Sequence, residues 1–216
     1  MKIIDLTHTI SEDMPVYPGT EPPILRQANT YEKDGFKETL LSIYSHTGTH
    51  VDPPAHLFAD RTTLDALPIE QFAGKALVIT CTHLSEGQAI TMEEIQAAGL
   101  QHAEEANFLL FHTGWDQRWG TEGYFGDYPC IDNAVIDFIL RTGKKGIGFD
   151  VIGMDPIADT NLTLHKKLFR YHDIINIENL CNLDKCGKDL FWFFALPLKW
   201  KNADGAPLRA VAFWTE

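Results

Sequence analysis

The 216-residue sequence is poor in several features, and each shortage closes off a class of protein. Long hydrophobic runs are missing. The longest, Leu190 to Leu198, is nine residues and contains Pro197, whereas a membrane-spanning helix needs about 20 apolar residues. Basic residues are scarce: Lys and Arg total 18 against 30 Asp and Glu, a formal net charge of −12. That balance, with no basic run, disfavours nucleic acid as a partner, because phosphates would be repelled. Cysteines number four, Cys81, Cys130, Cys181 and Cys186. None forms a CxxC pair, and Cys181 and Cys186 lack the spacing of a zinc knuckle. A disulfide framework is not needed either, since a chain of this length buries roughly 70% of its unfolded surface. No secretory h-region follows the N-terminus, where Asp5 interrupts the apolar stretch, so the reading is a cytoplasmic protein with reduced thiols. Repeats, low-complexity tracts and Gly/Ser linkers are also lacking. Strand-like and helix-like runs alternate along the whole length, which predicts one α/β or α+β domain over residues 1–216.

The elements follow from local pattern. Ile3–Leu6, Glu38–Tyr44, Ala76–Thr82, Asn107–His112, Gly146–Ile152, Ile174–Ile177, Asp189–Leu196 and Leu208–Trp214 read as strands. Thr91 to Gly99 reads as a helix opened by a capping box, Thr91 with Glu94. Asp132–Arg141 is a second helix, closed by Gly143, and Leu162–Tyr171 a third. Residues 12–31 carry Pro15, Pro18, Pro22 and Pro23 and read as an ordered but irregular arm. Asn202-Ala203-Asp204-Gly205 carries turn chemistry.

One window concentrates reactive side chains: His46-Thr47-Gly48-Thr49-His50-Val51-Asp52-Pro53-Pro54-Ala55-His56. His46, His50, Asp52 and His56 share one parity, so an extended chain points all four to one face. A helix would separate them, and Pro53 pushes Asp52 into the extended region. Neutral imidazole and carboxylate are ligands of zinc, manganese and iron(II). Two histidines and an aspartate leave coordination positions open for water, and Thr47 and Thr49 can supply hydrogen bonds that orient the ligands.

The pattern His-x-Gly-Thr-His-x-Asp-x-Pro-x-His resembles the signature of the cyclase-like metal-dependent hydrolases, a family that includes bacterial kynurenine formamidase (arylformamidase) and isatin hydrolase. Its fixed positions are filled by His46, Gly48, Thr49, His50, Asp52, Pro54 and His56. Further likeness runs through Ile4-Asp5-Leu6-Thr7, Tyr17-Pro18-Gly19, Thr113-Gly114-Trp115, Gly146-Ile147-Gly148-Phe149-Asp150, Leu196-Pro197-Leu198, Gly205 and Arg209-Ala210.

The resemblance implies a mixed β-sheet core with flanking helices in the swivelling β/β/α arrangement, and a homodimer or homotetramer. It implies two divalent cations per subunit, zinc or alternatively manganese. His46, His50 and Asp52 would hold the first. Asp52 would bridge to a second held by His165 and Glu178, with His172 the rival to His165. His56 is implied as the general acid-base, with a further ligand role as the alternative. Tyr17, before Pro18-Gly19, stands where the family stacks an aromatic on its substrate. The implied reaction is hydrolysis of a small-molecule amide, an aryl formamide such as N-formylkynurenine or an isatin-like lactam. An iron(II) oxygenase and a non-catalytic metal-binding protein are the rival classes. His112 reads as a strand residue supporting the site rather than a ligand; His8, His83 and His102 default to structure or surface.

Overall fold

A computed structural model describes residues 1–215. Among the described residues twelve strands occur: β1 (Lys2–Asp5), β2 (Ile24–Asn29), β3 (Glu38–Ser42), β4 (His50–Asp52), β5 (Ala73–Thr80), β6 (Ala89–Ile90), β7 (Phe108–His112), β8 (Cys130–Ile131), β9 (Gly146–Phe149), β10 (Ile175–Glu178), β11 (Phe191–Pro197) and β12 (Ala206–Trp214). Five short helices accompany them: α1 (Tyr31–Asp34), α2 (Met92–Ala97), α3 (Leu100–Glu105), α4 (Asn133–Arg141) and α5 (Thr163–Phe169).

The main sheet runs β1-β12-β11-β5-β7-β9-β10-β4, and β4 also pairs with β12. That extra pairing closes seven strands into a barrel and leaves β1 outside, on the edge of β12. β5, β7, β9 and β10 are parallel neighbours. The connections between them carry α2 and α3, then α4, then α5, as parallel strands require.

Side-chain alternation sorts the core into two layers. Ala76, Val78, Phe108, Leu110, Ile175 and Ile177 fill the barrel with Phe191, Phe193 and the small residues of β12. Leu77, Ile79, Leu109, Phe111, Ile147 and Phe149 face outward and pack under the helices. α4 shows the local logic: Asp132 caps it by accepting from Val135 N at 2.9 Å, and Val135, Ile136, Phe138 and Ile139 form its buried stripe. The capping box of Thr91 and Glu94 is present at α2.

Several expectations need correcting. The arm 12–31 is not irregular throughout: Ile24–Asn29 forms β2 and pairs with β3, because its prolines lie before the strand and leave its donors intact. The mixed sheet with flanking helices is as expected, and its closure into a barrel is an addition that no local pattern encodes. The segment 46–56 is extended only over β4. Gly48 turns the chain at φ +64°, and Pro54–His56 is a turn of 3₁₀ helix. Finally, Gly99, at φ +97°, ends α2 and starts the unanticipated α3.

The barrel interior leaves no spare volume beside Gly148. A methyl group there would lie 2.7 Å from Leu180 Cδ1 and 2.9 Å from Leu110 Cδ2. Gly148→Ala is expected to lower stability by about 1–3 kcal/mol, the usual cost of overpacking. Urea unfolding checks this, and an unchanged midpoint would contradict the packing described.

Candidate active site

The site grows from the ladder between β4 and β10. Asp52 pairs with Asn176, Val51 with Ile177 and His50 with Glu178. Val51 and Ile177 point into the barrel. Alternation therefore sends His50, Asp52, Asn176 and Glu178 to the outer face, where all four are buried. α5 brings His165 over this face, and the chain before β4 brings His46.

Hydrogen bonds fix each ring. His50 Nδ1 lies 2.8 Å from Gly48 O, which leaves Nε2 to face Asp52 Oδ1 at 3.3 Å and Glu178 Oε2 at 3.6 Å. His46 Nδ1 lies 2.6 Å from Asp52 Oδ1. Gly205 makes room for that ring, since a Cβ there would fall 2.4 Å from His46 Cε1. His165 Nδ1 meets Asp155 Oδ2 at 2.5 Å, so its Nε2 points to Glu178 Oε1 at 3.1 Å and Asp52 Oδ2 at 3.6 Å. Each carboxylate thus offers one oxygen toward His50 and the other toward His165.

Of the four groups of three among the described residues that bring one donor atom each to within 4.8 Å of one another, two share Asp52: His46, His50 and Asp52, and Asp52, His165 and Glu178. Among the described residues neither Asp52 nor Glu178 has a lysine or arginine partner within ion-pair distance. Buried carboxylates without a balancing cation are costly, and nitrogen-plus-oxygen donors suit zinc, manganese or iron(II). The residues present therefore fit a divalent cation at either group. Burial opposes a charge on His46, but Asp52 and Asp204 outweigh it and push its pKa up to about 10. For Asp52, burial is outweighed by His50 and His46, which hold its carboxyl well below the usual range. In the chain alone, proton uptake by imidazole answers the carboxylates' charge, a part that a divalent cation would take over.

His56 lies beside the cluster, its ring centroid 4.0 Å from that of His46 and 6.1 Å from that of His165. Its ring nitrogens make no hydrogen bond among the described residues, and it also groups with His46 and Asp204. Tyr17 stands at the mouth of a cavity of about 400 Å³ whose floor is the histidine–carboxylate cluster. His172 is exposed, away from this cavity. His112 ends β7 near Asp116 and Asp150, but Asp150 already accepts hydrogen bonds from Thr113 and Gly114. His8 stacks on Trp119 at 3.8 Å, His83 meets Glu94, and His102 is exposed. Cys181 and Cys186 join no group of metal donors among the described residues; burial pushes both thiols up to about 12.

Two residues of the site escaped sequence reasoning. Asp155 orients His165 and also caps α5, accepting from Leu164 N at 2.6 Å and His165 N at 3.1 Å. Its only sequence signal was the lack of a capping side chain at the start of α5. Asn176 sits among the donor atoms, and its signal was its parity with Glu178.

A closed seven-stranded barrel with two histidine–carboxylate groups on its outer wall defines an α/β protein with a candidate metal site. The chain belongs to the cyclase family: the family model described as "Putative cyclase" matches residues 4–156. A kynurenine formamidase of Geobacillus thermodenitrificans is 32% identical over 210 residues, covering 96% of this chain and 95% of that protein. A kynurenine formamidase of Bacillus anthracis is 31% identical over 212 residues, covering 97% and 96%. The solved structure of isatin hydrolase A from Labrenzia aggregata, bound to benzyl benzoate, superposes with a TM-score of 0.84 at 27% identity, covering 100% of this chain and 94% of that one.

Because Asp155 fixes the ring that faces both carboxylates, Asp155→Ala is expected to weaken divalent cation binding by about 10- to 100-fold. Titration calorimetry with Zn²⁺ measures this. Unchanged affinity would show that His165 does not depend on Asp155.

Proposed function

We propose that the chain is a metal-dependent amidohydrolase that cleaves a non-peptide carbon–nitrogen bond, with an aryl formamide of the N-formylkynurenine type as substrate. One observation carries the reading. Asp52 and Glu178 are buried among three histidines with no lysine or arginine to balance them, on the floor of a cavity that His56 and Tyr17 also line. The kynurenine formamidases that align over nearly the whole chain support it.

In this reading His46, His50 and Asp52 hold one divalent cation, and Asp52, His165 and Glu178 hold a second, with zinc first and manganese the alternative. When bound, such cations supply a nucleophilic oxygen from water at neutral pH and polarise the carbonyl under attack. The remaining work falls to the chain's own groups. Gly48 O and Asp155 hold His50 and His165 in the tautomers that turn Nε2 toward the carboxylates. Burial, reinforced by His46 and His165, holds the pKa of His56 down to about 4 against the pull of Asp52. His56 is therefore uncharged at neutral pH. It takes the proton released as water attacks and returns it to the leaving arylamine nitrogen, which is a poor anion. Tyr17 is 39% exposed on an arm stiffened by Pro15 and Pro18, and offers its ring to an aryl group.

A lactam substrate is the second reading, supported by the likeness to isatin hydrolase A. The deciding experiment is a substrate panel with the zinc-loaded protein, N-formylkynurenine beside isatin, run without oxygen. Turnover of neither would sink the amidohydrolase reading, and a requirement for oxygen and iron(II) would replace it with an oxygenase. We further read residues 1–216 as one domain and the protein as a cytoplasmic homodimer or homotetramer. The β2–β3 hairpin, with Ile24, Leu40 and Leu41 exposed, supports assembly. All four cysteines are free, as in a reducing compartment, and no described helix is long and apolar enough to cross a membrane.

His56→Ala is expected to keep its cation content and lose about 10²- to 10⁴-fold in kcat. Elemental analysis beside kinetics separates the roles: loss of cation along with turnover would make His56 a ligand.

Tyr17→Ala is expected to raise KM for an aryl formamide several-fold, from a stacking contact worth about 0.5–1.5 kcal/mol. Cation content should stay constant and Tyr17→Trp should be tolerated. Unchanged KM would remove the residue-level support for an aryl substrate.

A further inference from the structure

Asn176 occupies an unusual place in the cluster. It is 0% exposed and projects from β10 on the same face as Glu178, opposite Asp52. Its Nδ2 lies 3.2 Å from Asp52 Oδ2, 3.1 Å from His165 Nε2 and 2.8 Å from Glu178 Oε1. These are the atoms through which Asp52, His165 and Glu178 face one another. Its Oδ1, at the other end of the same carboxamide, is buried with no hydrogen-bond partner.

The separations within this foursome suit a coordination shell. His165 Nε2 is 3.1 Å from Glu178 Oε1 and 3.6 Å from Asp52 Oδ2. Nitrogen and oxygen ligands held about 2.0–2.2 Å from a cation stand roughly 2.8–3.6 Å apart, by the geometry of octahedral and tetrahedral shells. The terminal atom of Asn176 therefore stands at ligand spacing from all three donors. Its chemistry in the present orientation is wrong for a ligand, because an amide NH₂ only donates. The amide oxygen is a good ligand for hard divalent cations. A half-turn about the last side-chain torsion exchanges the two ends with little change of shape.

We propose that Asn176 is a fourth ligand of the second cation, and that its carboxamide turns over as the cation binds. This rests on the two-cation reading above. Without a cation, the NH₂ group donates into the two carboxylates and partly compensates their charge. With one, Oδ1 turns inward to the cation, and the NH₂ moves to where Oδ1 now lies unpartnered. The amide is thus a neutral stand-in for the cation it later helps to bind. No bond is made or broken in the chain, and no proton is transferred.

The test uses Mn²⁺ as probe, on the full-length protein stripped by chelator and shown folded by circular dichroism. Titration calorimetry and elemental analysis give the number of ions and their affinities. Electron paramagnetic resonance separates a coupled Mn²⁺ pair from an isolated ion. Wild type is expected to take two ions with a coupled spectrum. Asn176→Leu, similar in size but without donor or acceptor, should keep the first ion and bind the second at least tenfold more weakly. Asn176→Asp, which presents an oxygen at both ends, should bind the second ion more tightly than wild type. If Asn176→Leu binds two ions with wild-type affinities, the ligand role is overturned while the two-cation reading stands. Saturation of wild type at one ion would overturn both. Should Asn176→Leu fail to fold, Asn176→Asp decides: second-ion affinity equal to or below wild type overturns the proposal.

Discussion

Strand β4 is only three residues long, yet it is hydrogen-bonded on both sides, to β10 and to β12. Those bonds fix its register, and a register shift of one residue would turn every side chain over. Val51 must therefore fill the barrel, while His50 and Asp52 must face outward. The same ladder fixes Glu178 opposite His50 and Asn176 opposite Asp52. Hydrophobic packing inside the wall thus sets the positions of polar groups outside it. The reactive groups sit on paired strands, and their spacing is as rigid as the sheet.

The cluster is electrostatically unfinished in the chain alone. Two carboxylates are buried where imidazoles, one carboxamide and the backbone N–H of Met154 answer them, with no lysine or arginine among the described residues. The raised proton affinity of His46 and the depressed one of Asp52 are two sides of one attraction, that between imidazole and carboxylate in a buried cluster. His56, with no carboxylate in contact, goes the other way, because burial dominates its titration. Two neighbouring imidazoles in one cavity thereby shift in opposite directions, His46 up and His56 down.

The sequence made part of this legible. Alternation about Val51, stiffened by Pro53 and Pro54, correctly sets His50 and Asp52 on one face, and capping residues correctly mark α2 and α4. Parity failed for His46 and His56. They reach the same cavity by other routes, a left-handed turn at Gly48 and a 3₁₀ turn at Pro54–His56. Barrel closure was not readable, because the pairing of Val51 with Ala206 joins residues far apart in sequence. Asp155 was missed because it looks like a loop acid until α5 folds against it. Asn176 was missed because a single amide in a strand carries no motif; only its register against Asp52 reveals it.

Asp155 binds the start of a helix and the ring of His165 with the same carboxylate. Unwinding the first turn of α5 would therefore release the imidazole at the same moment, so helix and donor open as one cooperative unit. Anything that pulls on His165 Nε2 must then tighten that helix end, by the same linkage through which a ligand stabilises the state that binds it. On the two-cation proposal, the amide protons of Leu164 and His165 would report what the cluster holds: their exchange with solvent should slow on cation binding, although neither amide is itself a ligand.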